Sequence, residues 1–237
     1  MPEISIKAEP IFKLLGFKLT NSIFTAFIVL FIFLFLAIKY KNNIESKKKS
    51  SFFYVFNMII KSIYALFYSV LKEKTDYFFP ILGSFFLFIL FQNWFGLLPG
   101  VGSITIHHVP LFRGANADLN TTLMLGLLTV ILIQFFGIKF LGFNEYIKKF
   151  INISNPINFA VGFLEIISEL SRILSFSFRL FGNIFAGEVL LTIVAFLIPI
   201  LASFPFLLLE VFVGLIQALV FSMLSAVFIN LAITKHH

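Results

Sequence analysis

Uncharged apolar runs occupy residues 19–38, 78–98 and 119–138 of this chain, and two more, 189–209 and 211–234, are separated only by Glu210. Each of the first three matches the roughly 20 residues that take a helix across the hydrocarbon core of a bilayer, so each of these predicts a crossing. Residues 51–74 have a different pattern. At about 100° per residue, Asn57, Lys61, Tyr64, Tyr68 and Lys72 fall on one helical face, with Phe, Ile, Leu and Val around the rest. This predicts an amphipathic helix lying on the inner membrane surface, because a crossing would bury Lys61. Leu98-Pro99-Gly100 is a helix stop that closes the 78–98 run.

Residues 157–192 read as one helix of about 54 Å at 1.5 Å rise, against a core about 30 Å thick. Such a helix must tilt well beyond the usual ~20° or break. Pro199 and Pro205 mark a turn, and a second long helix is expected over 206–233. The predicted fold is an all-α integral membrane protein, a single domain over residues 1–237. It has about five crossings, one surface amphipathic helix (51–74) and a C-terminal hairpin of two long, strongly tilted helices.

Charge sets the orientation. Lys39, Lys41, Lys47, Lys48 and Lys49 follow the first run, and Lys139, Lys148 and Lys149 follow the third, which places these loops in the cytoplasm and the N-terminus outside. Lys7, Lys13 and Lys18 dilute that bias without reversing it. The net charge of +7 thus reads as topology and not as a nucleic-acid surface. With 59% hydrophobic and 12% charged residues and a mean hydropathy of +1.02, the composition excludes a soluble domain. The absence of cysteine excludes disulfides, thiolate metal sites and cysteine catalysis. His107 and His108 are an adjacent loop pair, and His236 and His237 lie at the end of the chain; neither predicts a metal site. No cofactor is expected.

Only six charges interrupt residues 157–233: Glu165, Glu169, Arg172, Arg179, Glu188 and Glu210. An arginine stays charged, and placing one at mid-bilayer costs roughly 2.5–3.5 kcal/mol on the gentlest scale. On a helical wheel Glu169, Arg172, Arg179 and Asn183 all fall within about 40° of Glu165, so one polar stripe faces water or a protein partner. Glu188 lies on another face. Glu210 and Gln217 are seven residues apart, two turns along one face of the last helix. With the hairpin tip outward, Glu188 and Glu210 lie in the outer half, Glu165 and Glu169 in the inner half, and Arg179 between them. A protonated carboxyl carried past Arg179 by a partner should release its proton there, because an adjacent positive charge favours the carboxylate. The pattern is that of an ion path with a gate. Blander roles stand beside these. Arg179 fits a structural ion pair, Arg172 fits an intrahelical pair with Glu169 as well as a channel role, and Glu188 fits a hydrogen bond with Glu210. Asn183 and Gln217 also fit plain helix packing.

The segment ELSRILSFSFRLFGNIFAGEVLL (169–191) resembles the signature of subunit a of F-type ATP synthases. FQNWFGLLPG (91–100), ADLNTTL (117–123) and LEVFVGLIQALVF (209–221) resemble the same family in the same order. The resemblance implies a proton-conducting stator with two long helices wrapped against a ring of c subunits. It matches the family's essential arginine to Arg179, with Asn183 in the same motif. It matches the outer half-channel to Glu188, Glu210 and Gln217, and the inner one to Glu165. Acid at both 188 and 210 is a variation, since some relatives carry histidine at the second position. Asp118 and Asn120, at the outer end of a crossing, fit a channel mouth. The implied partners are the c-subunit ring, the peripheral-stalk subunit b, other ATP synthase subunits and the lipid bilayer, with no nucleic acid. The implied location is a bacterial inner membrane or, alternatively, an organelle inner membrane. The chain would not be catalytic alone, and it shows no GxxxxGK[ST] phosphate loop.

Two other functions compete. A proton-coupled secondary transporter would use the same acids, but no pair of interrupted helices recurs in matching halves. A purely structural assembly factor would tolerate Arg179→Ala.

Overall fold

The computed structural model describes residues 8–14, 17–46, 49–98, 101, 104–106, 109–150, 156–198 and 203–234. Lys7, Lys47, Lys48, Pro99, Gly100, His107, His108, Pro199, Lys235, His236 and His237, on which several expectations fell, lie outside them. Seven α-helices are described: α1 (Asn21–Glu45), α2 (Ser51–Leu71), α3 (Thr75–Gly96), α4 (Leu119–Leu141), α5 (Phe143–Lys148), α6 (Pro156–Leu197) and α7 (Ser203–Ile233). Five helical stretches are long and apolar enough to cross a membrane: α1, the α2–α3 stretch, α4, α6 and α7. The protein is an all-α membrane protein, as the apolar runs predict.

The helices outrun the uncharged runs that predict them. α1 continues through Lys39 and Lys41 to Glu45, and α6 runs unbroken for 42 residues. Long lysine side chains let a helix continue into the headgroup region, because the stem stays apolar while the ammonium reaches water. α2 ends at Leu71, three residues short of the expected limit, where Lys72 turns the backbone at φ 49° into a 3-10 turn over Lys72–Lys74. Two small antiparallel hairpins were not anticipated: β1 (Pro10–Leu14) with β2 (Phe17–Thr20), and β3 (Thr105–Ile106) with β4 (Val109–Pro110).

α3, α4, α6 and α7 share one apolar core. Phe78, Leu82 and Ile89 of α3 meet Ile133 and Phe136 of α4, Phe176 and Leu180 of α6, and Phe221 and Ile229 of α7. Lipid is as apolar as these side chains, so close packing and hydrogen bonds must hold the bundle together. Gly126 shows the closeness required: a Cβ there would overlap Ser177 Oγ and lie 2.9 Å from the Ile173 carbonyl oxygen of α6. Outside the core, Phe31 and Phe35 of α1 and Phe163, Leu170 and Phe178 of α6 stay exposed on the chain's surface.

Cross-chain contacts define the two ends of the bundle. At one end, Asn21 Nδ2 donates to the Pro110 carbonyl (3.3 Å), and Trp94 Nε1 donates to the Val211 carbonyl (3.0 Å). This end gathers the starts of α1, α4 and α7 and the ends of α3 and α6. At the other end, Asn230 Nδ2 donates to the Val70 carbonyl (3.1 Å), and Tyr40 stacks on Phe53 with centroids 5.4 Å apart. Both ends of α2 therefore lie at this second end, where it bridges the end of α1 and the start of α3. Here α5 folds under the bundle through Gly142, whose φ of 87° an L side chain would resist. Tyr146 packs on Gly137 so closely that a Cβ there would overlap its ring.

Candidate functional site

Arg179 projects from the open face of α6. Its neighbours Phe176 and Leu180 point into the core, while Ser175, Phe178, Arg179, Asn183 and Ala186 form an exposed strip. Arg179 Nη2 donates to Ser175 Oγ at 3.2 Å, one turn back. Among the described residues no carboxylate lies within ion-pair distance of it. Every other basic side chain on α6 has an acidic partner: Arg172 Nη1 meets Glu169 Oε1 at 2.6 Å and stacks over Phe228 at 4.1 Å. The structural pair weighed for Arg179 is thus absent within the described chain, whereas the one weighed for Glu169 and Arg172 is present.

A polar seam runs from Arg179 between α6 and α7 toward the end of the bundle that holds Asn21 and Trp94. Asn183 Nδ2 donates to Gln217 Oε1 at 2.8 Å. One turn further on α6, Gly187 is buried under the Glu210 carboxylate, and a Cβ there would overlap both carboxylate oxygens. Glycine is required for this approach. Residues 179, 183 and 187 are spaced at single turns, about 12 Å in total. Glu210 itself is 6% exposed. Gln217 Nε2 is buried and has no hydrogen-bond partner among the described residues.

Glu188 faces elsewhere. Its Oε2 lies 3.3 Å from Nη2 of Arg113, in the loop between α3 and α4. The hydrogen bond weighed between Glu188 and Glu210 does not form; an ion pair to the loop takes its place. In sequence Arg113 is a single basic residue in a loop, with no motif linking it to Glu188. Around it, Asn93 Nδ2 donates to the Gly214 carbonyl (2.9 Å) and Asn116 Nδ2 donates to Asn93 Oδ1 (2.7 Å). Both amide ends of Gln92 and the Oδ1 of Asn116 are buried and have no partner among the described residues. Asp118 caps α4: its carboxylate accepts from the Asn120 backbone N–H (3.3 Å), Asn120 Nδ2 (3.3 Å) and Thr121 Oγ1 (3.4 Å). Asp118 is buried and Asn120 is exposed.

Toward the other end of the bundle Glu165 pairs with Lys149 at 2.8 Å, and Glu169 is buried against Arg172. The Tyr146 hydroxyl on α5 donates to Gln134 Oε1 at 2.7 Å. Burial, aided by the nearby Glu169 charge, pushes the phenol up to about 12. The helical wheel placed Glu165, Glu169, Arg172, Arg179 and Asn183 on one stripe; the structure divides it. Glu165 and Glu169 are paired with basic side chains of the chain, and Arg179 is left on the exposed face. Lys149 and Tyr146 escaped sequence reasoning because their partners are 16 and 12 residues distant and no periodicity links them.

Among the described residues no group of three or more His, Cys, Asp or Glu could hold a metal ion. A family model described as ATP synthase A chain matches residues 21–230, from the start of α1 into the last turn of α7. ATP synthase subunit a of Legionella pneumophila strain Philadelphia 1 is 29% identical over 236 residues, spanning 100% of this chain and 96% of its own. That of Syntrophobacter fumaroxidans is 36% identical over 183 residues (77% and 72%), and that of Gloeobacter violaceus 39% over 159 residues (66% and 61%). With the matched segment containing Arg179, the seam and both acid clusters, the chain belongs to the ATP synthase A chain family.

Proposed function

We propose that this chain is the proton-conducting stator subunit of a rotary F-type ATP synthase, with two offset half-channels separated by Arg179. The observation that carries this reading is an arginine on an open helix face without a carboxylate partner among the described residues, flanked by buried polar groups on one side and paired acids on the other. A guanidinium stays charged in any protein environment. A ring carboxyl that rotates past it loses its proton, because the fixed positive charge stabilises the carboxylate. Protons from outside reach the ring through an outer half-channel lined by Glu188, Glu210, Gln217 and Asn183, and leave inward past Glu165. Asp118 and Asn120 flank the outer mouth. The Arg179 charge repels a proton that would pass straight between the two routes.

The length of α6 supports a rotor contact. Its 42 residues make about 63 Å of helix, roughly twice the hydrocarbon thickness. A strong tilt lays its exposed strip along a c-ring. Only 11% of its apolar window is buried within the chain, against 44% for α7, which leaves that face to a partner. The lysines of the second end, among them Lys39, Lys49, Lys139 and Lys149, assign that end to the cytoplasm, with α2 lying on the inner surface. Nucleotide chemistry belongs to partner subunits, and subunit b and the remaining membrane subunits complete the assembly in a bacterial inner membrane. In vesicles bearing the assembled complex, Arg179→Ala abolishes ATP-driven proton pumping while the complex still co-purifies. Normal coupled pumping by that variant overturns the reading.

A further inference from the structure

Two carboxylates lie in the outer half of the hairpin, and their surroundings differ in kind. Glu188 has a cation on it. Arg113 is 8% exposed and held by three elements: its backbone N–H donates to Thr25 Oγ1 of α1 (3.1 Å), and Nη2 donates to the Ala117 carbonyl (3.4 Å) and to Glu188 Oε2 (3.3 Å). Glu210 has no cation on it among the described residues. It lies over the bare backbone of Gly187, one turn from Asn183 and two turns from Gln217 along its own helix.

We propose that Arg113 is a positioning residue that fixes Glu188 as a charge-compensated carboxylate, and that Glu210 alone carries protons along the outer route. This assignment rests on the stator reading above. A proton carrier must gain and lose an O–H bond in every cycle. At Glu188 the charge is already balanced by the Arg113 guanidinium, whose Nη2 also donates to the Ala117 carbonyl and whose backbone N–H is tied to α1, so an added proton would remove the carboxylate charge that this pairing balances. At Glu210 no such constraint exists. A hydronium from outside gives its proton to a Glu210 oxygen and leaves as water. The carboxyl then passes the proton through water at the Asn183–Gln217 pair to a ring carboxylate and returns to its starting form. Only O–H bonds form and break. Arg113 and Glu188 tie the outer loop to α6 and keep the entrance in register with Glu210.

The test compares pumping and assembly in vesicles. Glu188→Gln and Arg113→Gln each leave one unbalanced charge, and each should lower ATP-driven pumping at least tenfold. Arg113→Gln/Glu188→Gln removes both charges and should recover at least half of the unmodified rate, and Arg113→Lys should retain more than Arg113→Gln. Glu210→Gln should lower pumping at least tenfold both alone and in the double-neutral background. A double-neutral variant as inactive as Glu188→Gln overturns the assignment, because Glu188 would then carry the proton itself. A second measurement needs no variant to assemble. A carbodiimide modifies protonated carboxyls, and mass spectrometry of the unmodified complex should find more label on Glu210 than on Glu188; equal or greater label on Glu188 overturns the assignment. Arg113→Gln should raise the Glu188 label several-fold, and an unchanged Glu188 label would overturn the role given to Arg113. Arg179→Ala is measured alongside. If it pumps normally, the stator reading itself fails; if it is inactive and the double-neutral variant is also inactive, only the Arg113 assignment fails.

Discussion

A single methyl group at Gly187 reaches the seam without altering any charge. In Gly187→Ala the new Cβ overlaps both oxygens of the Glu210 carboxylate. Ordinary contact needs about 3.5 Å between heavy atoms, so the carboxylate must retreat by about 1 Å or more. It sits at the far end of a flexible side chain, and the α6 backbone can stay in place. The cost therefore falls at the lower end of the ~1–3 kcal/mol seen for overpacking, and the complex should assemble. Proton transfer is less forgiving. Donor and acceptor must stand about 2.6–3.2 Å apart or share one water, and a displacement of about 1 Å can cost on the order of 100-fold in rate. Passive proton flow through assembled complexes, measured by a pH-sensitive dye after an imposed gradient, should fall about 10- to 100-fold. Adding Glu210→Asp draws the carboxylate back by one carbon, about 1.5 Å, and should recover part of the loss. Full proton flow in an assembled Gly187→Ala complex would refute the role given to this carboxylate.

Other expectations follow from the same contacts. A double-mutant cycle with Asn183→Leu and Gln217→Leu should return a coupling of about 0.6–1.7 kcal/mol in thermal or denaturant unfolding, and zero coupling would separate the two side chains. Arg172→Ala leaves the buried Glu169 uncompensated and should cost about 3–5 kcal/mol, whereas Lys149→Ala breaks a more exposed pair and should cost about 1 kcal/mol or less. Both are read from unfolding of the purified subunit. Gly137→Ala should push the Tyr146 ring off α4 and lower stability by about 1–3 kcal/mol. The Tyr146 phenol, raised to about 12 by burial, stabilises the fold in full below about pH 10, the ordinary tyrosine range; that contribution is lost as pH climbs toward 12. Ultraviolet titration of Tyr146→Phe against the unmodified chain should show one late-titrating phenol missing.

The crossings are legible in the sequence because membrane insertion imposes a length on apolar runs that needs no tertiary knowledge. The ends of the helices are not. Lys39 and Lys41 end a hydrophobic run but not α1, since a lysine stem tolerates the interface. The six-residue α5 is too short to show a period. The loop of residues 97–118 shows one arginine in sequence, and its use emerges only when folding brings it to Glu188, 75 residues away. The Arg179 motif was readable, and so was its stripe with Glu165 and Asn183, because 3.6-residue periodicity puts them on one face. Periodicity could not say which members of the stripe find partners. That depends on Lys149, Arg172 and Ser175 being within reach, which is a matter of packing and local rotamers.

Passive proton leak measures most directly the role proposed for Arg179, a cation with no carboxylate partner among the described residues that would keep two proton routes apart. Vesicles carrying assembled Arg179→Ala complexes should pump no protons on ATP addition, yet should dissipate an imposed pH gradient faster than vesicles with the unmodified complex. Gradients held as tightly as before, together with undiminished pumping, would contradict the account.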